Sequence, residues 1–337
     1  MNKKFLKRDL EYILSLFLSI LVSLLIGAFI MIANGRSPLL GYGALLKGAF
    51  GSKYNIATTL AKTVPLVLTG LATAISFSSG IYNIGGEGQL YLGAFAAAYV
   101  GITFTALPKG IGILLAIVAG AVVGGLYAYL PAILKVKYKI DEVITTIMLN
   151  SVAVLFTSYL VNYPFATTKG KMGGTEIIAE GYHLKRLIKL STLNTSIFFM
   201  GFIAIIIYYL MEKTSAGYDY KMVGQNSLFA RYGGINDKKQ MIMAMVISGA
   251  LSGMAGVFEV LGVHYRFLQN ISPGYAWDGM LAALIVKNNP IGVIVMSIFL
   301  GALKTGSVSM ENATSIPSEL VLVIQSIIIL FIAGEAG

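Results

Sequence analysis

The sequence predicts an all-α polytopic membrane protein with about ten transmembrane segments. Of its 337 residues, 56% are hydrophobic and only 12% are charged, whereas about a quarter of the residues in an average soluble domain carry a charge. Several apolar runs approach or exceed the roughly 20 residues with which a helix crosses a bilayer. The runs lack period-2 alternation, so the pattern favours helices over a closed barrel, the other structure that pairs all backbone groups in lipid.

Ten apolar runs mark the predicted segments. The first follows a basic N-terminus, Met1–Arg8. It is too long for a signal peptide and lacks an evident cleavage site, so we interpret it as a retained helix. The eighth is too short to cross as a regular helix, and we expect it to be re-entrant or broken. The runs cover residues 12–33, 56–79, 88–107, 110–134, 143–162, 194–211, 239–262, 275–287, 288–308 and 317–334.

The distribution of Lys and Arg predicts the orientation. With the N-terminus inside, twelve basic residues lie on the cytoplasmic side and ten outside. The clusters at residues 3–8 and 135–139 carry most weight, because the positive-inside rule is strongest for short loops. Both clusters place the N-terminus in the cytoplasm, and ten crossings return the C-terminus there.

Two connecting loops are unusually long. Residues 163–193 form a predicted extracytoplasmic loop, in which His183–Leu190 either lies along the membrane surface or is a solvated connector. Residues 212–240 form a predicted cytoplasmic loop that is rich in Lys, Asp, Gly and Asn. A polar loop of this length between two apolar segments suggests a docking surface for a soluble partner.

The glycine-rich stretch Ser79–Gln89 is the first candidate for function. Its closely spaced glycines predict an interrupted helix, and interrupted helices in transporters often line a substrate cavity. Glu87 lies near membrane depth, where an unpaired carboxylate is costly. The alternative is that Asn83 and Glu87 only cap the helix that follows.

Two further motifs place polar groups among apolar ones. Asp141–Asn150 begins with carboxylates suited to a helix N-terminus, and its Asn150 faces either a cavity or a neighbouring helix. Asn270–Leu284 loosely echoes the first motif and contains a Pro-Gly break at 273–274. Trp277, the only tryptophan, either stacks on a planar ligand or belongs to the interfacial aromatic belt. In contrast, Gly249, Gly253 and Gly256 read as a stripe for close helix packing.

The predicted translocation path is built around two breaks, the glycine-rich one at 83–89 and the Pro-Gly one at 273–274, together with Asn150. Non-helical backbone at membrane depth is tolerated where protein or a water-filled cavity surrounds it, so both breaks are expected to face the path. The candidate path residues are Asn83, Glu87, Gln89, Asn150, Trp277 and Asp278.

Enzymatic chemistry has no counterpart in the sequence. There is no G-x-x-x-x-G-K-[ST] phosphate loop, since Gly170-Lys171 is followed by Met172 and lacks the upstream glycine. His183 and His264 share no metal-ligand spacing, and there are no cysteines. We therefore predict no catalytic residue, no metal site and no cofactor held by this chain. An intramembrane enzyme would need a catalytic cluster that is not found.

Four motifs in order resemble the permease subunits of bacterial ABC importers of the simple sugar and nucleoside class. The resemblance is closest to the nucleoside branch that works with basic-membrane-protein-type lipoproteins. It implies an ABC permease fold with broken or re-entrant helices, and a single transmembrane permease domain over 1–337. One departure is Lys287, where the family often has Arg before Asn-Asn-Pro. The motifs are Tyr82–Gln89, Glu142–Asn150, Gly224–Ile235 and Asn288–Gly292.

The resemblance also implies partners and a mechanism. A cytoplasmic ATPase with two nucleotide-binding domains would bind ATP and Mg²⁺ and dock on the 212–240 loop. A second homologous permease would complete the path. An extracytoplasmic substrate-binding lipoprotein would deliver a nucleoside. The expected location is the bacterial cytoplasmic membrane. Alternatives are a permease for a simple sugar such as ribose or galactose, or a stand-alone secondary transporter. The residues implied in ATPase coupling are Gly224, Asn226, Ala230, Arg231, Gly233 and Ile235.

Overall fold

A computed structural model describes residues 18, 21–167, 173–314, 317, 319–320, 322–323 and 326–327. Its helices confirm the all-α class. They are α1 (Leu21–Ala33), α2 (Pro38–Phe50), α3 (Lys53–Ser78), α4 (Gly86–Thr103), α5 (Lys109–Tyr138), α6 (Glu142–Asn162), α7 (Ser196–Lys213), α8 (Ser215–Gln225), α9 (Ser227–Tyr232), α10 (Asp237–Glu259), α11 (Tyr275–Ile285) and α12 (Pro290–Thr314). A 3₁₀ turn lies at Glu180–Tyr182, and a π turn, Val260–His264, prolongs α10.

Six of the described helices are long and apolar enough to cross a membrane. They are α3, α5, α6, α7, α10 with its π turn, and α12. The short eighth segment is confirmed as an 11-residue helix, α11. The tenth predicted segment, 317–334, lies mostly outside the described residues. Helix α2 was not predicted, because the residues between the first two apolar runs include five glycines and three basic residues.

The chain divides into two compact units, one of residues up to Thr59 and from Phe299 onwards, the other Leu60–Ile298. In the first unit, the Tyr42 hydroxyl donates to the carbonyl of Leu24 at 2.6 Å, which ties α2 to α1. Helix α2 also packs directly on α12: a Cβ on Gly306 would lie 2.4 Å from the Leu45 carbonyl oxygen. Glycine is therefore required where these two helices touch.

In the second unit, α10 packs against α4 and α5 through its glycine stripe. A Cβ on Gly253 would lie 2.3 Å from the Gly120 carbonyl oxygen of α5, and a Cβ on Gly256 would lie 2.1 Å from the Leu90 carbonyl oxygen of α4. The predicted packing role of the stripe is thus confirmed. Small residues allow such backbone contact between membrane helices, where packing replaces the hydrophobic effect as the driving force.

The described part of the 163–193 loop is bound to the chain that follows α10. The backbone amides of Thr175 and Ile178 donate to the carbonyls of Phe267 and Tyr265 at 3.0 and 2.9 Å. Tyr182 and Leu184 are buried, whereas residues 185–190 are exposed. The loop is therefore a fixed layer over this end of the unit, and its basic stretch is turned outwards.

Candidate functional site

The first break between helices lies about one turn earlier than predicted. Helix α3 ends at Ser78, Gly80 adopts a left-handed conformation (φ +71°), and the chain stays non-helical until α4 begins at Gly86. The expected break over 83–89 is therefore partly wrong, because Gly86–Gln89 form the first turn of α4. Gly88 serves close packing: a Cβ there would lie 3.0 Å from the Cα of Asn150 on α6.

The second break is where the sequence placed it. The chain leaves the π turn after His264, and Gly274 takes a left-handed conformation (φ +86°) immediately before α11. The Ser272 hydroxyl accepts the backbone N–H of Tyr275 at 3.1 Å, which satisfies one of the free donors at the start of α11. The Pro-Gly interruption at 273–274 is thus confirmed.

Glu87 joins the two breaks. Its Oε2 accepts the backbone N–H of Ala276, the second residue of α11, at 3.1 Å. The side chain is only 8% exposed. A carboxylate at a helix N-terminus is stabilised by the free N–H groups and by the helix dipole. Glu87 therefore caps a helix, as the alternative interpretation proposed, but it caps α11 and not its own helix.

Asn83 and Gln89 form a reciprocal amide pair. The Asn83 Nδ2 donates to Gln89 Oε1 and to the Ser248 hydroxyl of α10 at 2.9 and 2.8 Å. The Gln89 Nε2 returns a bond to Asn83 Oδ1 at 2.9 Å. Asn83 Oδ1 also accepts the N–H of Gly85 at 3.0 Å. The pair fixes the non-helical segment against both α4 and α10.

Asn150 binds the same segment from α6. Its Oδ1 accepts the N–H of Gly88 at 2.7 Å and its Nδ2 donates to the carbonyl of Ile84 at 2.8 Å. Both bonds go to backbone groups that no α-helix satisfies internally at this point. In this conformation Asn150 holds the break in shape, which matches the helix-contact alternative.

A small cavity lies between the two breaks. Asn83, Glu87 and Trp277 line it, whereas Gln89, Asn150 and Asp278 do not. Trp277 is 41% exposed, and Asp278 is buried in the first turn of α11. The cavity volume is about 10 Å³, which is room for about one water molecule. In the observed conformation the space between the two breaks is therefore closed to anything larger than water.

The cavity lining includes hydroxyl groups that were not predicted. Thr69 and Thr73 of α3 and Ser248 and Ser252 of α10 all reach it. The Thr69 hydroxyl also donates to the carbonyl of Tyr275 at 3.0 Å. Each pair is four residues apart on its helix, so both hydroxyls lie on one face. That spacing is the signal by which the sequence could have revealed them.

The predicted cytoplasmic loop contains two short helices, α8 and α9. Asn226 begins α9: its Oδ1 accepts the N–H of Phe229 at 2.9 Å. Ala230 is buried, and its carbonyl accepts the N–H of Ile235 at 3.0 Å, which closes the turn after α9. The outer face of α9 is apolar and exposed. It carries Leu228 (58% exposed), Phe229 (62%) and Tyr232 (84%).

Arg231 fastens α9 to the start of α10. Its Nη2 lies 2.5 Å from Asp237 Oδ2, and its Nε donates to Asp237 Oδ1 at 3.3 Å. The hydrogen bond and the charge of Asp237 raise the pKa of Arg231. Gly233 ends α9 with an ordinary backbone conformation, and Gly234 takes the left-handed one (φ +84°). The Arg231 side chain is 56% exposed, so this ion pair is expected to orient α9 more than to stabilise the fold.

Known proteins resemble this chain over most of its length. Residues 55–333 match the family described as branched-chain amino acid transport system / permease component. The chain belongs to this family. It is 35% identical to the guanosine ABC transporter permease protein NupP of Bacillus subtilis, over 97% of this chain and 95% of the relative.

Two other relatives are named for nucleosides and for glucose. The nucleoside ABC transporter permease protein NupB of Lactococcus lactis subsp. cremoris is 33% identical over 94% of this chain and 89% of its own length. The glucose ABC transporter permease protein TsgB13 of Haloferax volcanii is 30% identical over 94% and 85%. The protein is therefore a multi-pass membrane permease component of an ABC transport system.

In this permease, Lys287 lies in a tight turn between α11 and α12. Lys287 and Asn288 both adopt left-handed conformations, with φ of +51° and +61°. The Asn289 side chain accepts the N–H of Gly292 at 3.0 Å and so caps α12, which begins at Pro290. The motif therefore shapes a helix-helix turn, and the planar fork of an arginine is not required for that geometry.

Proposed function

We propose that this permease is the membrane subunit of an ATP-driven importer and forms a translocation path for nucleosides by alternating access. The observation that carries the proposal is the pair of full-length relatives named for guanosine and for nucleosides, at 35% and 33% identity. The cavity chemistry supports it. Amides and hydroxyls surround the space between the two breaks, and a neutral, hydroxyl-rich ligand needs no counter-charge.

The closed path supports alternating access. A cavity of about 10 Å³ holds no nucleoside, so transport requires the two interrupted helices to separate. The bond from Glu87 to the backbone amide of Ala276 is one that such a separation would break. A weak internal site suits an importer that a binding protein supplies, because tight binding would slow release.

The ATPase partner is assigned to the α8–α9 region. Its exposed apolar face, with Leu228, Phe229 and Tyr232, is flanked by the Arg231–Asp237 pair that fixes its direction. A soluble domain with a complementary groove would bury this face. ATP and Mg²⁺ would be bound by that partner. This assignment places α8–α9, and with it both termini, in the cytoplasm, and it places the 163–193 loop outside.

A second homologous permease and an extracytoplasmic substrate-binding lipoprotein complete the proposed importer, and the cytoplasmic membrane of a bacterium is the proposed location. The 185–190 stretch, exposed and basic, lies in the loop that would face the lipoprotein. These partners follow from membership in the permease family together with the resemblance to the nucleoside branch.

A sugar is the second candidate substrate, because the relative named for glucose is 30% identical over 94% of this chain. The discriminating experiment is uptake by cells that express the complete operon-encoded complex and lack their own nucleoside and sugar importers. Labelled guanosine, adenosine, ribose, galactose and glucose are compared. We expect saturable uptake of a nucleoside and background uptake of the sugars. Uptake of a sugar alone would refute the nucleoside assignment.

A further inference from the structure

The end of α8 touches the turn that precedes the substrate-path break. A Cβ on Gly224 would lie 2.2 Å from the carbonyl oxygen of Ser78 and 3.1 Å from the amide nitrogen of Gly80. A Cβ on Gly80 would lie 3.1 Å from the Cα of Gly224. The two stretches of backbone are therefore in direct contact, and no side chain separates them. The contact joins residues more than 140 positions apart in the sequence.

The turn at Ser78–Gly80 is tightly built. The amides of Ser79 and Gly80 donate to the carbonyls of Ser76 and Phe77, both at 3.1 Å. Gly80 has φ +71°, which glycine adopts without strain. The Ser79 hydroxyl adds a bond to the Ser76 carbonyl at 2.8 Å. Because these hydrogen bonds lie within the turn, we expect the turn to move as a rigid unit.

Only two residues, Ile81 and Tyr82, separate this turn from Asn83. Ile81 is fully buried against Ala128, Ala132 and Met245. The N–H of Tyr82 faces Glu142 Oε1 at 3.4 Å. Asn83 follows with its bonds to Gln89 and Ser248. Asn83 follows Gly80 by three positions, so their Cα atoms can be at most ~10 Å apart. A movement of the turn is therefore expected to displace Asn83.

Gly224 also lies close along the chain to the exposed face of α9. Asn226 ends α8 and begins α9, with its backbone N–H on the Met222 carbonyl at 3.0 Å. Leu228 and Phe229 follow within a single turn. Helix α8 is also braced by Gln240 of α10, whose Nε2 donates to Asp219 Oδ2 at 2.8 Å. A partner that displaces α9 therefore displaces the end of α8 that carries Gly224.

We propose that the backbone contact of Gly224 with the Ser78–Gly80 turn transmits movement of α8–α9 to Asn83 and thereby opens or closes the path. Gly224 is then a positioning residue and not part of the docking surface. This inference rests on the proposed function. It assigns to one glycine the step between ATPase movement and the substrate path. A side chain at position 224 would force the two backbones apart by about 1 Å, given ordinary van der Waals contact at 3.4 Å or more.

The test is Gly224→Ala in the complete complex with ATPase and lipoprotein, reconstituted in proteoliposomes. We expect the ATPase to co-purify and to hydrolyse ATP, while the number of nucleoside molecules transported per ATP falls at least tenfold. The matched control is Gly201→Ala on α7, where an added Cβ meets nothing within 4 Å. Wild-type stoichiometry in Gly224→Ala would overturn the inference. A wild-type complex that transports no nucleoside would instead refute the proposed function.

A second measurement does not depend on the variant. Hydrogen–deuterium exchange of the wild-type complex is compared with and without ADP and vanadate trapped on the ATPase after ATP hydrolysis. We expect the amides of residues 79–85 to change their exchange together with those of α8 and α9. A response of α8 and α9 without any response at 79–85 would overturn the inference. If Gly224→Ala does not assemble, this comparison decides.

Discussion

Replacing Glu87 by Gln tests whether the contact between the two breaks belongs to the transport cycle. Gln has nearly the same shape and can still accept the Ala276 N–H, which Glu87 accepts at 3.1 Å. The substitution removes the charge at the α11 N-terminus and leaves the geometry. The space between the two breaks is too small for a nucleoside here, so the proposed path requires these helices to separate. We therefore expect the contact to be made in the closed conformation only.

The size of the effect is worked from the Glu87–Ala276 hydrogen bond and the charge at the α11 N-terminus. A hydrogen bond to a charged group contributes about 1.5–3 kcal/mol and one between neutral groups about 0.5–1.5 kcal/mol. The helix dipole adds about 0.3–1 kcal/mol for a carboxylate at this position. The closed conformation should therefore lose about 1–2.5 kcal/mol. At about 1.4 kcal/mol per tenfold, its population relative to the open state falls by roughly five-fold or more.

The assay is initial nucleoside uptake together with co-purification of the ATPase. Glu87→Gln should lower uptake about five-fold and leave assembly intact. The control is Glu311→Gln, which removes a carboxylate from an exposed position on α12 and should leave uptake unchanged. If Glu87→Gln transports at the wild-type rate, Glu87 is only a structural cap, and the path runs elsewhere.

Four further expectations follow. Asn83→Ala removes four hydrogen bonds and should lower uptake several-fold with the complex still assembled; normal uptake would exclude Asn83 from the path. Arg231→Glu repels Asp237, and Gly233→Trp places an indole at the end of α9. Both variants should insert into the membrane but lose ATPase-coupled transport. Unaltered coupling in both would exclude this docking surface. Ile177→Cys, at a position 64% exposed, should react with an impermeant thiol reagent on intact cells and Leu228→Cys should not; the reverse labelling would invert the topology. Gly253→Ala, whose Cβ would lie 2.3 Å from the Gly120 carbonyl oxygen, should lower the melting temperature, while Gly181→Ala, with open space around it, should not; equal melting temperatures would contradict the packing role of the stripe.

Much of the fold could be predicted because hydropathy and glycine placement are local signals. The apolar runs located α3, α5, α6, α7 and α10, and the Pro-Gly pair located the start of α11. The first break was displaced because glycine propensity alone favoured an interruption over 83–89, whereas α4 begins at Gly86. The close approach of α4 to α6 requires glycine at Gly88, and that packing constraint overrides local propensity.

The site was less accessible to sequence reasoning, because its geometry depends on contacts between distant residues. Asn83 and Glu87 could be selected by their polarity at membrane depth. That Glu87 caps α11, and that Gly224 meets the turn at Ser78, depends on how the helices pack. The hydroxyls of Thr69 and Thr73 were missed because Thr and Ser occur widely in membrane helices, where they bond to the backbone of their own helix.

ATP-dependent accumulation by a reconstituted importer tests the central claim most directly. Proteoliposomes contain this permease with its partner permease and ATPase, the lipoprotein and labelled guanosine on the lipoprotein side, and ATP on the ATPase side. The account predicts that guanosine accumulates against its gradient only with ATP and lipoprotein, and that Arg231→Glu abolishes accumulation. Accumulation by the permease alone, driven by an ion gradient without ATP, would contradict the account.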